Sequence, residues 1–121
     1  MGAPVVWFEI AGRELPVLER FYGQLFGWRV KVDDTSGYGG IETGAQGGIP
    51  GGMWAPGAPT GEYVSFYVGV TDIDAALGDA ERLGGSVAQQ VTSIADGSRI
   101  AMFLDPEGHR IGLVQSPPGA R

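Results

Sequence analysis

The 121 residues contain no cysteine, which removes disulfides, thiolate nucleophiles and zinc–thiolate centres together. Histidine occurs once, as His109. A transition-metal site needs about three or four convergent nitrogen, oxygen or sulfur ligands, and a Ser–His–Asp triad would have to use this one ring. His109 directly follows the turn-forming stretch Asp105-Pro106-Glu107-Gly108, where an exposed side chain is the expectation. Charge is sparse at 18%, and eight Lys plus Arg against fourteen Asp plus Glu leave a net charge of −6. Such a surface repels nucleic-acid backbones and anionic membranes. No apolar run approaches the roughly 20 residues needed to span a bilayer. The start Met-Gly-Ala-Pro-Val-Val has no basic segment ahead of an apolar one, and Val6 stands where a myristoylation signal needs Ser or Thr. A cytoplasmic protein is expected. Two glycine clusters, around Gly37–Gly40 and Gly44–Gly48, lack the Gly-Lys-Ser/Thr of a phosphate loop and read as turns.

The residues that are present describe one globular domain, 43% hydrophobic. Residues 5–10 form a β-branched and aromatic run interrupted by one carboxylate, Glu9, and favour a strand. Leu18, Phe21, Tyr22 and Leu25 follow at i, i+3, i+4, i+7, with Pro16 near the first turn and Gly27 past the end, predicting an amphipathic helix. Extended pieces are expected around 28–33, 38–43 and 48–54. A second series begins with a strand over 62–70. Thr71-x-x-Asp74 has the spacing of a capping box, and Ile73, Ala76, Leu77, Ala80 and Leu83 keep helical spacing until Gly84-Gly85. Strands around 86–93, 98–104 and 110–115 complete it, the last two joined by a hairpin at Asp105–Gly108.

Trp7 to Gly27 and Ser65 to Gly85 span equal intervals, each holding a strand and a helix, so the chain repeats with a period near 58 residues. The expected fold is α+β, two βαβββ modules pairing into a curved eight-stranded mixed sheet around a cleft. The single domain divides into a module over about 4–56, a second over about 61–116, and a frayed tail, 117–121.

Phe21-Tyr-Gly-Gln-Leu-Phe-Gly-Trp28, Tyr67-Val-x-Val-Thr-Asp-Ile-Asp-Ala-Ala-Leu77 and Phe103-Leu-Asp-Pro-Glu-Gly-His-Arg-Ile-Gly-Leu-Val114, in this order on a duplicated scaffold, resemble the vicinal oxygen chelate superfamily of glyoxalase, bleomycin-resistance and dioxygenase proteins. The resemblance covers nearly the whole chain. It implies the paired βαβββ fold, often a homodimer, and a metal held by His, Glu or Gln from the first and last strands of each module. Those four positions carry Trp7, a residue near Gly52, Ser65 and Gly112 here, none of them a ligand of that kind. No metal and no cofactor are expected.

Strand alternation places Trp7 and Glu9 on one face and Phe8 and Ile10 on the other. With Trp54, Ser65, Tyr67, Gly112 and Val114 they form the expected lining of the cleft. Glu9 reads in two ways: a carboxylate paired with an arginine or water, or an acceptor that orients a ligand, with general-base chemistry open to it. The missing side chain at Gly112 leaves room for a small molecule or for Trp7 to fill the void. The expected partner is a small, partly aromatic or planar molecule held without metal; a lyase, isomerase or dioxygenase-like enzyme with Glu9 as base is the alternative. A homodimer is expected, and no nucleic-acid or membrane partner.

Overall fold

The computed structural model describes residues 2–118. Its elements run β1 (Val5–Ala11), α1 (Leu15–Phe26), β2 (Arg29–Val32), β3 (Gly39–Glu42), β4 (Gly51–Trp54), β5 (Tyr63–Gly69), α2 (Ile73–Arg82), β6 (Ser86–Ser93), β7 (Arg99–Leu104) and β8 (Arg110–Gln115). The βαβββ order thus occurs twice. The described chain forms two compact units, residues 7–65 and residues 2–6 with 66–118. This division departs from the sequence boundaries, because the start of β5 clusters with the first module, and the Pro4 carbonyl accepts from the Gly69 N–H at 2.9 Å in the other. Of the tail expected to fray, residues 119–121 lie outside the described residues.

In the first unit the strands lie in the order β2-β3-β4-β1, antiparallel except for the parallel pair β1 and β4. In the second the order is β5-β8-β7-β6, with β5 and β8 parallel. The parallel registers match: Glu9 opposes Gly52 in one unit and Tyr67 opposes Gly112 in the other. This match settles Gly52 as the counterpart of Gly112, which the glycine-rich approach to β4 left loose in the sequence.

Each helix covers one face of its own sheet. In the second unit Ile73 and Leu77 of α2 are buried with Ala101 and Leu113, and Val68, Val87 and Phe103 pack around them. Helix α2 starts at Asp72, whose carboxylate accepts from the Ala75 N–H at 3.1 Å. The cap is therefore Asp72 rather than the Thr71–Asp74 box expected; Asp74 instead holds Arg99 at 3.0 and 3.3 Å. One carboxylate immediately ahead of the first helical residue can cap the helix alone, leaving Asp74 free to pair.

In the first unit Phe8 lies 5.2 Å from the Trp28 ring, and Trp28 contacts Tyr22 and Phe26 of α1 at 5.3 and 5.1 Å. Phe8 therefore faces the helix, and Trp7 and Glu9 face away from it. Pro16 sits in the first turn of α1, and Gly27 closes it in a left-handed conformation at φ 74°. The apolar stripe read from the sequence splits, however. Leu18 and Tyr22 are half-buried, whereas Phe21 and Leu25 are more than half exposed. The apolar residues of α1 span about half of the helix circumference, and the sheet takes the Leu18–Tyr22 side of that arc and leaves the Phe21–Leu25 side outside.

Candidate functional site

The face of the first unit's sheet turned away from α1 carries a chain of hydrogen bonds centred on Glu9. Glu9 is 4% exposed. Its Oε2 accepts from the Tyr38 hydroxyl at 2.7 Å and its Oε1 from the Tyr63 hydroxyl at 2.5 Å. Each phenol oxygen in turn accepts an indole N–H, Tyr38 from Trp7 at 3.0 Å and Tyr63 from Trp54 at 3.2 Å. The order is Trp7, Tyr38, Glu9, Tyr63, Trp54, with every donor directed toward the carboxylate. An ion buried without partners costs several kcal/mol, and O–H groups donating to a carboxylate are among the stronger compensating bonds. The arrangement thus keeps a carboxylate inside the protein and, through the same bonds, fixes the planes of two indoles.

Local structure explains how the members meet. The parallel register of β1 and β4 sets Glu9 beside Gly52 and Ala11 beside Trp54, so Trp7, Glu9 and Trp54 share a face. Tyr38 arrives from the β2–β3 turn, which Asp33 builds. The Asp33 carboxylate accepts from the Ser36 hydroxyl at 2.7 Å and its N–H at 2.9 Å. The Asp33 N–H donates to the Tyr38 carbonyl at 2.9 Å, and Gly37 supplies the positive φ of 77° that closes the turn. The Ser36 hydroxyl, then its N–H, holds the Asp33 carboxyl below the usual carboxylate range. A depressed folded value means that this turn contributes stability above the unfolded carboxyl's pKa and loses it as pH falls through the folded one. Asp33→Asn is expected to lower the unfolding midpoint at pH 7 and to match the wild type in acid; equal differences at both pH values would refute this.

Gly52 is what lets Tyr38 lie where it does. A Cβ on Gly52 would fall inside the Tyr38 phenol, and a Cβ on Gly112 would fall inside the Tyr67 ring. The room that the missing side chains create is filled by aromatic rings in both units; of the two alternatives at Gly112 it is a ring that takes the space, and the ring is Tyr67, not Trp7.

Residues 7–114 match the Glyoxalase-like domain family. The chain belongs to this family. It is 30% identical over 118 residues to the Mycobacterium tuberculosis protein named "Putative glyoxylase CFP32", covering 91% of this chain but only 44% of that relative's length. Among solved structures, a Streptomyces coelicolor methylmalonyl-CoA epimerase is similar at TM-score 0.65 and 22% identity, with 96% of each chain covered. A glyoxalase/bleomycin resistance protein/dioxygenase superfamily member from Vibrio splendidus is similar at TM-score 0.65 and 18% identity, covering 95% of this chain and all of the other. At such identities these structures establish the shared fold.

The metal that the family resemblance implies does not fit this glyoxalase-like domain. The four positions carry Trp7, Gly52, Ser65 and Gly112, and at both glycines an aromatic ring occupies the place of a ligand side chain. Among the described residues no three His, Cys, Asp or Glu side chains converge on a point that could hold a metal ion. His109 is exposed and its Nδ1 lies 3.0 Å from Asp105. Asp105 also accepts the His109 backbone N–H, which with the Glu107 N–H and the imidazole holds its carboxyl below the usual range despite some desolvation. This cluster serves the β7–β8 turn.

Trp7, Glu9 and Trp54 are thus brought together, through two tyrosines that the sequence argument did not include. Ser65 is buried on the same β5 face as Tyr63. Tyr67, Gly112 and Val114 share a face in the second unit, with Tyr67 packed over Gly112. Alternation along β5 carried a signal for Tyr63, two residues before Ser65. None existed for Tyr38, whose face depends on the register of β3 against β4. Among the described residues no helix is long and apolar enough to cross a membrane.

Proposed function

We propose that this glyoxalase-like domain binds a small planar or aromatic organic molecule on the face carrying Trp7 and Trp54, without a metal. The observation supporting this reading is the hydrogen-bonded chain through Glu9. It holds two half-buried indoles in fixed orientation, and preorganised aromatic surfaces lose little entropy when a ring stacks on them. Gly40 and Gly52, neighbours across β3 and β4, carry no side chains on this face; a Cβ on Gly40 would meet only the Lys31 carbonyl, at 3.9 Å. Glu9, Ser65 and the two phenols give orientation.

In the alternative reading the site turns over a substrate such as the methylmalonyl-CoA of its structural neighbours. Glu9 would act through the phenols, because both its oxygens already accept phenolic protons. The deciding experiment combines tryptophan-fluorescence titration with 2-naphthol and riboflavin, assays of methylmalonyl-CoA epimerisation and of methylglyoxal with glutathione, and elemental analysis. Saturable quenching is expected, weakened by Trp7→Ala by about 1–3 kcal/mol and only slightly by Glu9→Gln. Turnover abolished by Glu9→Gln with binding intact, or about one transition metal per chain, would overturn the binding reading.

A further inference from the structure

The registers of the first unit's sheet align four positions in one row. Lys31 opposes Gly40, Gly40 opposes Gly52, and Gly52 opposes Glu9. Residues directly opposite one another share a face, so Lys31 stands on the face of the two indoles. It lies on the outer strand β2, three strand spacings or about 14 Å from Glu9. Lys31 is the only lysine of the chain. It is exposed, and among the described residues it forms no ion pair. Arg29, two positions before it on the same face, is instead held by Glu42 at 3.4 Å. We propose that the molecule taken up on this face is a planar organic acid, and that Lys31 selects it by its anionic group.

The two halves of the row differ. The inner half is closed, because the Tyr38 ring lies over Gly52 and its hydroxyl donates to Glu9. The outer half is open: a Cβ on Gly40 would meet only the Lys31 carbonyl, at 3.9 Å. A flat ring can rest there on the backbone of Gly40, next to Tyr38 and to Trp7, whose Nε1 lies 3.0 Å from the Tyr38 hydroxyl. Charge then decides which substituent the ring carries and where it goes. An anionic group directed inward would approach Glu9, whereas directed outward it meets the Lys31 ammonium one strand away. A cation gains little in either direction, because Glu9 is 4% exposed behind two phenols, Glu42 is already engaged by Arg29, and Lys31 repels it. The chain as a whole carries −6, so a preference for an acid has to come from this local cation. A single substitution should therefore remove it.

This inference rests on the binding reading of the Trp7–Trp54 face, and the test separates the two. Three probes share one ring system: 2-naphthoate, 2-naphthol and 2-naphthylmethylammonium. In tryptophan-fluorescence titrations of the full chain at pH 7, 2-naphthoate is expected to bind about 5- to 10-fold more tightly than 2-naphthol, and the ammonium most weakly. Lys31→Met should bring the ratio of the first two affinities to about one, Lys31→Glu should take it below one, and Lys31→Arg should keep the preference for the acid. Gly40→Leu, which fills the open floor, should weaken both ligands. Because Lys31 is the only lysine, its acetylation by acetic anhydride can be followed by mass spectrometry, and 2-naphthoate should slow it where 2-naphthol does not. A wild-type ratio of one, a ratio unmoved in Lys31→Met, or tightest binding of the ammonium would overturn this inference and leave the Trp7–Trp54 site standing. Absence of saturable quenching by all three probes would overturn both.

Discussion

Glu9→Ala is expected to lower the stability of the fold by about 3–5 kcal/mol, the largest effect of any single substitution at the site. The change removes the acceptor of two phenolic hydroxyls at 2.7 and 2.5 Å. Leaving a buried donor unsatisfied costs about 1–3 kcal/mol, two are left at once, and breaking a buried charged cluster from one side falls in the 3–5 kcal/mol range. Glu9→Gln keeps the shape and one acceptor oxygen but turns an amide N–H₂ toward a hydroxyl that is itself a donor, so a loss of about 1–2 kcal/mol is expected. Urea unfolding followed by tryptophan fluorescence measures both, and Trp7 and Trp54 report the site directly. If Glu9→Ala unfolded within about 1 kcal/mol of the wild type, Glu9 would not be the centre of the network.

Gly52→Ala is the second large effect, expected at about 2–4 kcal/mol. The added methyl cannot coexist with the Tyr38 phenol, and overpacking of this kind costs about 1–3 kcal/mol; Tyr38 moving aside then also frees one oxygen of Glu9. The neighbouring Gly40→Ala is the control: its Cβ would meet only the Lys31 carbonyl at 3.9 Å, and its effect should lie within about 0.5 kcal/mol of zero. A double-mutant cycle locates the cause. In a Tyr38→Ala background the penalty of Gly52→Ala should largely vanish, a coupling of about 1–3 kcal/mol. Additive effects would mean that Gly52 is needed for its backbone and not for the room it gives Tyr38.

Together these two substitutions test what occupies the positions at which the resemblance implies metal ligands. Where the resemblance implies side chains converging on an ion, the chain has glycines and lays aromatic rings over them. The carboxylate that remains, Glu9, is compensated by phenols and indoles. If the small-molecule reading holds, the network serves recognition by holding two indoles still.

The sequence by itself determined the secondary elements, their duplicated order and the side of β1 on which Glu9 lies. These follow from local rules: 3.6- and 2-residue periodicity, glycine where a helix ends at Gly27, and proline and glycine in the Asp105–Gly108 turn. It also determined that the four positions of the family's metal ligands are unfit, since that is a matter of residue identity. Only the tertiary structure decided what touches Glu9. Tyr38 lies 29 residues and Tyr63 54 residues away along the chain, and their convergence depends on strand register, which glycine-rich approaches such as the one to β4 encode weakly. It likewise decided that α1 keeps Phe21 and Leu25 more than half exposed, because periodicity marks the apolar side of a helix but does not say which part of that side the sheet covers.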